Sequence, residues 1–359
     1  MMHDFGCSAP RTHSGQVHSG LRDAIPSRLK IEVSTVCNLA CKQCHRQGMG
    51  RSNRLMSFDD FRHIFDQIRP ARLNLTGYGE SLLNPDLGRM LEYAKSQGAE
   101  HVRFFTNGTR LTKEMIELLV RLRIDCVNFS IDGETAELYA SIRSGASLET
   151  VLSNIDSLIE YRASQRARRP AIGIKFVLMA ANLSHASSFL EMCDRRYGGD
   201  VHPEFLMLEA VDQVEIAGMI PTANRINLNY LADAAQKAES FGYLAAAINL
   251  RHVIAHLGEK YTPRGEPCFH PLYNLMVTID GNVIPCQLHY NEQVVFGNMF
   301  QQSIQEIWDS HGYITFREQI GSSRADLPYC SACTDAEEAQ NIYGGDSAGP
   351  THVTSNEFL

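Results

Sequence analysis

Residues 37–44 read CNLACKQC, placing Cys37, Cys41 and Cys44 on one short stretch with gaps of three and two residues. Four more thiols, Cys268, Cys286, Cys330 and Cys333, lie toward the C-terminus, the last two within CSAC. Three thiolates can hold three irons of a [4Fe–4S] cluster and leave the fourth iron open, by the logic that separates open catalytic zinc sites from closed structural ones. The same triplet also reads as a zinc site or as buried core cysteines. Four thiolates complete either a closed cubane or a zinc ribbon, and spacing alone leaves both open.

The chain has 359 residues, 44% of them hydrophobic, enough for one large domain and a smaller one. A net charge of −8 argues against a general nucleic-acid or membrane binder. The N-terminal MMHDFGCSAPRTHSGQVHSG lacks the apolar core of a signal peptide, and no apolar run approaches membrane-spanning length. A cytoplasmic, reducing location is expected, where clustered cysteines mean metal or redox chemistry rather than a disulfide framework.

The elements that must position the thiols alternate. LKIEVS (29–34), RLNLTG (72–77), HVRFFT (101–106), DCVNFSI (125–131), IGIKFVLM (172–179) and EFLMLEA (204–210) are short β-rich runs with helical stretches between them. Ser57 caps SFDDFRHIFDQI, Asn84-Pro85 opens a helix that stops at Gly98, and Thr112 opens a third, with Leu111 stapled against Ile116. Six strands with right-handed crossovers predict an α/β fold with a parallel sheet, in an open or partial barrel whose site lies at the C-terminal strand ends. The three cysteines follow directly on the first strand.

Beyond about residue 260 the pattern changes. LMVTIDGNVIPC predicts a hairpin through Asp280-Gly281, followed by a helix around SIQEIWDS. The expected organisation is a tail over 1–28, a barrel with helical connection over 29–262, a small cluster domain over 263–335 and a tail over 336–359.

C-x3-C-x2-C after the first strand of a partial barrel resembles the radical S-adenosylmethionine (SAM) superfamily, and further segments match its pattern in order. TGYGE (76–80) resembles the second-strand motif, FFTNG (104–108) the third-strand segment, and FSIDG (129–133) the fourth-strand segment of the SPASM/twitch branch. The resemblance implies a (β/α)6 TIM-like barrel with Cys37, Cys41 and Cys44 on the SAM-binding cluster. It implies that Gly79 lets the backbone approach SAM, Glu80 pairs with its ammonium, Thr106 and Asn107 lie near it, and Ser130 and Arg143 hold its carboxylate. Gln43 stands where an aromatic residue is usual, and Tyr78 where glycine is common. The open iron would chelate SAM, and reductive cleavage would give a 5′-deoxyadenosyl radical that removes hydrogen from an unactivated C–H bond. An electron donor of flavodoxin or ferredoxin type is expected.

Cys268, Cys286, Cys330 and Cys333, with VTIDGNVIPC and the later Gly297, Asn298, Ile307 and Trp308, resemble the twitch domain. That likeness implies one auxiliary [4Fe–4S] cluster. TDAEEAQNIYGG, downstream, holds no cysteine, which argues against a second. A closed cluster transfers electrons, so a substrate radical at a hydroxyl-bearing carbon would be oxidised to a ketone. Epimerisation would need a thiol donor. Cys7 lies in the tail, Cys126 begins a strand at the far end, and Cys193 lies late in a helix, so dehydrogenation is the expected outcome, with epimerisation and decarboxylation as alternatives.

Asp132, Lys175 and Glu209 are the candidates for substrate contact, and His270 and His289 flank the auxiliary cysteines. About 28 residues precede the first strand, too few for a leader-recognition domain. The expected substrate is therefore a small polar metabolite such as a sugar, aminocyclitol or nucleoside. A peptide maturase with a separate recognition partner is the alternative.

Overall fold

A computed structural model describes residues 25–207, 219, 227–258, 268, 270–327 and 329–331. Cys7, Glu209 and Cys333 lie outside the described residues.

Six parallel strands form the body: β1 (Arg28–Ile31), β2 (Arg72–Leu75), β3 (His101–Thr106), β4 (Cys126–Ser130), β5 (Ala171–Leu178) and β6 (Val201–Met207). Between them run α1 (Phe58–Ile68), α2 (Leu87–Ser96), α3 (Lys113–Arg121), α4 (Ala136–Ile142), α5 (Leu148–Ser164) and α6 (Ala186–Tyr197). Burial alternates along β1, β2 and β3. Leu29, Ile31, Leu73, Leu75, Val102 and Phe104 join the apolar faces of the helices in one core, while Lys30, Asn74, Arg103 and Phe105 face the other way, half-buried.

The caps are as the sequence predicts. Ser57 accepts from the Asp60 amide and Thr112 from the Met115 amide. Leu111 and Ile116 are both buried, as a staple requires. Asn84 stands three residues before α2, whose N-cap is Asp86, and its Oδ1 accepts from the Asp86 amide at 2.9 Å. Its side-chain amide donates to the carbonyls of Val33 and Met56 at 2.8 and 2.9 Å, pinning the start of α2 to the end of β1.

After β6 come α7 (Asn229–Ser240) and α8 (Leu244–Gly258), the expected helical connection, and then the short α9 (His270–Tyr273). The hairpin follows, with β7 (Leu275–Val277) and β8 (Asn282–Ile284), then β9 (Gly297–Asn298), α10 (Ile304–Trp308) and α11 (His311–Ile320). Gly281 takes φ +81 in the turn, where a side chain would be strained.

The hairpin is not a separate sheet. β7 pairs parallel with β1, so the described strands run β6-β5-β4-β3-β2-β1-β7-β8-β9 in one open sheet. Sequence periodicity could not reveal this, because β1 and β7 are about 245 residues apart and nothing local marks their register. Among the described residues no helix is long and apolar enough to cross a membrane.

Candidate active site

Of the predicted residues, Cys37, Gly79, Glu80, Thr106 and Asn107 come together at the C-terminal ends of β1, β2 and β3. The amide of Gly79 donates to the Ser34 carbonyl at 3.0 Å, and that of Glu80 to the Val36 carbonyl at 2.8 Å, so TGYGE lies against the segment leading into Cys37. A Cβ on Gly79 would stand 2.5 Å from the Ser34 oxygen, so only glycine permits this approach.

Glu80 is 2% exposed. It accepts hydrogen bonds from Thr106 Oγ1 at 2.7 Å, the Asn107 amide at 2.7 Å and the Leu82 amide at 3.0 Å. All three donors are uncharged. Burial pushes its carboxyl above the ordinary range, against the opposing pull of these bonds. A bound ammonium would supply the missing positive charge.

Asn107 connects this carboxylate to the cysteine loop. Its side-chain nitrogen lies 3.9 Å from Cys37 Sγ and 3.0 Å from Asn38 Oδ1. The other side of the loop is held by the end of α4, where the amides of Ala40 and Lys42 donate to the carbonyls of Ser144 and Ile142 at 3.1 and 3.0 Å. Arg143 Nη1 lies 3.9 Å from Cys41 Sγ.

Asp132 is engaged by protein groups on both of its oxygens. Its side chain is fully buried, and its oxygens accept from Arg143 Nη2 at 2.7 Å, Gln43 Nε2 at 2.6 Å and the Val177 amide at 2.8 Å. Burial raises the Asp132 carboxyl, with the Arg143 charge opposing it. For Arg143, burial disfavours the cation, but Asp132 and Cys41 outweigh it and hold the guanidinium charged. Gln43, in the position usually aromatic, therefore serves as an Asp132 donor. Arg143 Nε is buried without a hydrogen-bond partner among the described residues, which leaves one donor for a further acceptor.

Lys175 is also engaged. Its ammonium pairs with Glu204, one strand over in register, and lies 5.9 Å from the Phe105 ring centre. Glu204 was not among the sequence candidates. Ser130 ends β4 beside Lys175 and is partly exposed.

The donor set suits a cluster. Cys37, Cys41 and Cys44 are free thiols, close enough to perturb one another's charge. Burial raises all three, Cys41 to about 11, so a metal cation must favour the thiolates. Among the described residues no three His, Cys, Asp or Glu side chains converge on one metal-ion position. A cubane takes each thiolate on a different iron, which suits three thiols on one short loop.

In the hairpin region, Cys268, Cys286 and Cys330 are all partly exposed. His289 lies with its Nε2 3.9 Å from Cys330 Sγ, and its burial lowers its pKa to about 4. His270 begins α9, two residues after Cys268. Tyr78, which stands where glycine is common, and two residues that the sequence did not single out, Lys30 and Gln287, tie this region to the barrel. Tyr78 Oη donates to the Gln287 carbonyl at 2.6 Å, and Lys30 donates to the Gln287 side chain. No local signal marks these residues, because the partners lie more than 200 positions apart.

Residues 31–165 match the radical SAM superfamily, and residues 268–334 match SPASM, an iron–sulfur cluster-binding domain. The chain carries a radical SAM domain followed by a SPASM domain. Its cofactors are SAM and iron–sulfur clusters, and it is a radical SAM enzyme with a C-terminal SPASM domain. This radical SAM chain is 26% identical over 337 residues to the tungsten-containing aldehyde ferredoxin oxidoreductase cofactor-modifying protein of Pyrococcus furiosus, covering 85% of this chain and 86% of that one. It is 25% identical over 305 residues to mycofactocin maturase MftC of Mycobacterium tuberculosis, covering 82% and 72%. The structure of Streptococcus suis SuiB bound to precursor peptide SuiA is similar, with a TM-score of 0.64 at 15% identity over 86% of this chain and 70% of that one. At that identity the likeness is one of fold.

Proposed function

We propose that this radical SAM enzyme is an oxidoreductase that removes two electrons from a hydroxyl-bearing carbon of a small polar substrate such as a sugar, aminocyclitol or nucleoside. Cys37, Cys41 and Cys44 hold the SAM-binding cluster, and Cys268, Cys286, Cys330 and Cys333 hold one auxiliary cluster of twitch type. When bound, the cluster and SAM supply a 5′-deoxyadenosyl radical that takes a hydrogen atom from substrate.

The chain's own residues bind and orient. Glu80, held by Thr106 and Asn107, receives the SAM ammonium. Ser130 and Arg143 receive its carboxylate, and Asp132 orients Arg143 rather than touching substrate. Lys175 and Glu209 remain the substrate candidates, and Lys175 must share its charge with Glu204. A flavodoxin- or ferredoxin-type protein delivers the electron.

The observation that carries the oxidation reading is the position of the remaining described cysteines. Cys126 and Cys193 are both 0% exposed, one at the start of β4 and the other within α6 in the core, so neither presents a thiol to a substrate radical at the mouth. Loss of an electron is then favoured over return of a hydrogen atom. A second reading follows from the names of the relatives, a cofactor-modifying protein and a peptide maturase. It replaces the metabolite with a peptide or protein side chain carried by a separate partner.

Anaerobic incubation of the reconstituted enzyme with SAM, a reductant and a metabolite extract tests the proposal by mass. Oxidation removes two hydrogens from one compound. A product of unchanged mass that gains deuterium in heavy water marks an epimerase, and loss of carbon dioxide marks a decarboxylase. Either outcome overturns the oxidation reading.

A further inference from the structure

Residues 45–51 follow the third cysteine of the triplet, and residues 287–292 follow Cys286. The two segments are joined along their length. The His45 ring packs against Tyr78 and Tyr290, with ring centres 5.9 and 5.1 Å away. The Gly50 amide donates to Asn291 Oδ1 at 2.9 Å, and Asn291 Nδ2 reaches the Gly48 carbonyl at 3.4 Å.

Arg51 closes this seam. Nη1 donates to the Tyr290 carbonyl at 3.2 Å, Nη2 pairs with Glu32 just past β1, and Nε lies 3.6 Å from Glu292 Oε1. The Arg51 side chain is 9% exposed and that of Glu32 is fully buried. Both carboxylates are anchored on the hairpin as well. Glu292 accepts from Thr278 Oγ1 at 2.6 Å and Asn282 Nδ2 at 2.8 Å, and Glu32 accepts from the Ile279 amide at 3.3 Å. One guanidinium therefore grips the end of β1, the hairpin and the loop after Cys286 at once.

We propose that Arg51 is a positioning residue that sets the spacing between the two cluster sites. The inference rests on the two-cluster reading above. The physical reason lies in the side chain. A guanidinium is a rigid planar fork, and here its Nη1 and Nη2 address two acceptors at fixed angles while its charge faces Glu292, whereas a lysine ammonium supplies the same charge on a flexible stem. Charge alone would neutralise Glu32 and Glu292, and only the fork fixes where the Cys286 loop lies. Without a cation the buried Glu32 carboxylate and the partly buried Glu292 carboxylate repel, and the loop is released.

The test compares Arg51→Lys, Arg51→Gln and Glu292→Gln with the wild type in reconstituted protein. Two measurements are made on each: amide hydrogen exchange over 45–51 and 287–292, and the magnetic interaction between the reduced clusters by electron paramagnetic resonance. Arg51→Lys should keep its iron content and melting temperature, yet exchange about tenfold faster over 287–292 and show a weakened cluster–cluster interaction. Arg51→Gln should show the same loosening more strongly. Should it fail to fold, Glu292→Gln, which removes one anchor and keeps the cation, should still speed exchange over 287–292. Wild-type exchange and magnetic interaction in both Arg51→Lys and Glu292→Gln would overturn the proposal. A wild-type protein holding a single cluster would instead overturn the two-cluster reading, and the exchange data would still report on the seam.

Discussion

The Asp132 carboxylate and the Arg143 guanidinium meet at 2.7 Å, with Asp132 fully buried and Arg143 nearly so. The pair aims one arginine nitrogen at Cys41, 3.9 Å away, and consumes the carboxylate that sequence reading assigned to substrate. Neutralising one partner leaves a buried charge uncompensated. Asp132→Asn should destabilise the cofactor-free protein by about 3–5 kcal/mol, read as a lower urea midpoint. A variant as stable as wild type, but with altered substrate turnover alone, would restore Asp132 to the substrate.

Glu80 sits in a ring of uncharged donors. Replacing it with glutamine preserves its shape and removes the charge-assisted bond to the SAM ammonium. SAM binding should weaken by about 1.5–3 kcal/mol, roughly tenfold to more than a hundredfold, measured by equilibrium dialysis of the reconstituted enzyme. Wild-type affinity in Glu80→Gln would remove the assigned role from TGYGE.

Cluster loading separates the two thiol sets. The reconstituted protein should hold about eight irons, by two four-iron clusters. Replacing Cys37, Cys41 and Cys44 together with alanine should remove about half of them and abolish SAM cleavage. Cys330→Ala with Cys333→Ala should spare SAM cleavage and lose oxidised product. Stoichiometric zinc on the C-terminal set would refute the auxiliary-cluster assignment.

His101 offers a pH test away from both cluster sites, at the start of β3. Burial lowers its pKa from 6.5, helped by the charges of Arg103, Arg72 and Arg169 and opposed by Asp125. The unfolded chain thus takes up a proton at higher pH than the folded one, so stability falls as pH drops below about 6.5 and levels off below the folded pKa. Urea midpoints should decline from pH 7.5 to pH 5.5, and His101→Gln should flatten that decline. Equal slopes in the two proteins would show that His101 is not responsible.

Local pattern carried much of this molecule. Alternation and cap chemistry act within a few residues, so Ser57, Thr112 and the run HVRFFT could be read directly. Strand ends were read less well. LKIEVS predicts a strand to residue 34, but pairing stops at Ile31, because the chain beyond leaves the sheet to meet Leu55 and the backbone of TGYGE. The thiol spacing and the ordered motifs named the chemistry, since a motif at a strand end is a short-range feature that the parallel fold then gathers at one end of the sheet.

What tertiary structure decided were the partners. Nothing near Asp132 in sequence shows that its oxygens go to Gln43, Val177 and Arg143, and nothing near Lys175 shows that Glu204 claims it. The Arg51 seam joins residues 19 to 241 positions apart, and β7 adds to β1 across most of the chain. The sequence by itself determined which groups could ionise, ligate or cap. Which of those charges stay available to a ligand depended on long-range packing, because a buried charge must find its counter-ion or donors wherever the fold brings them.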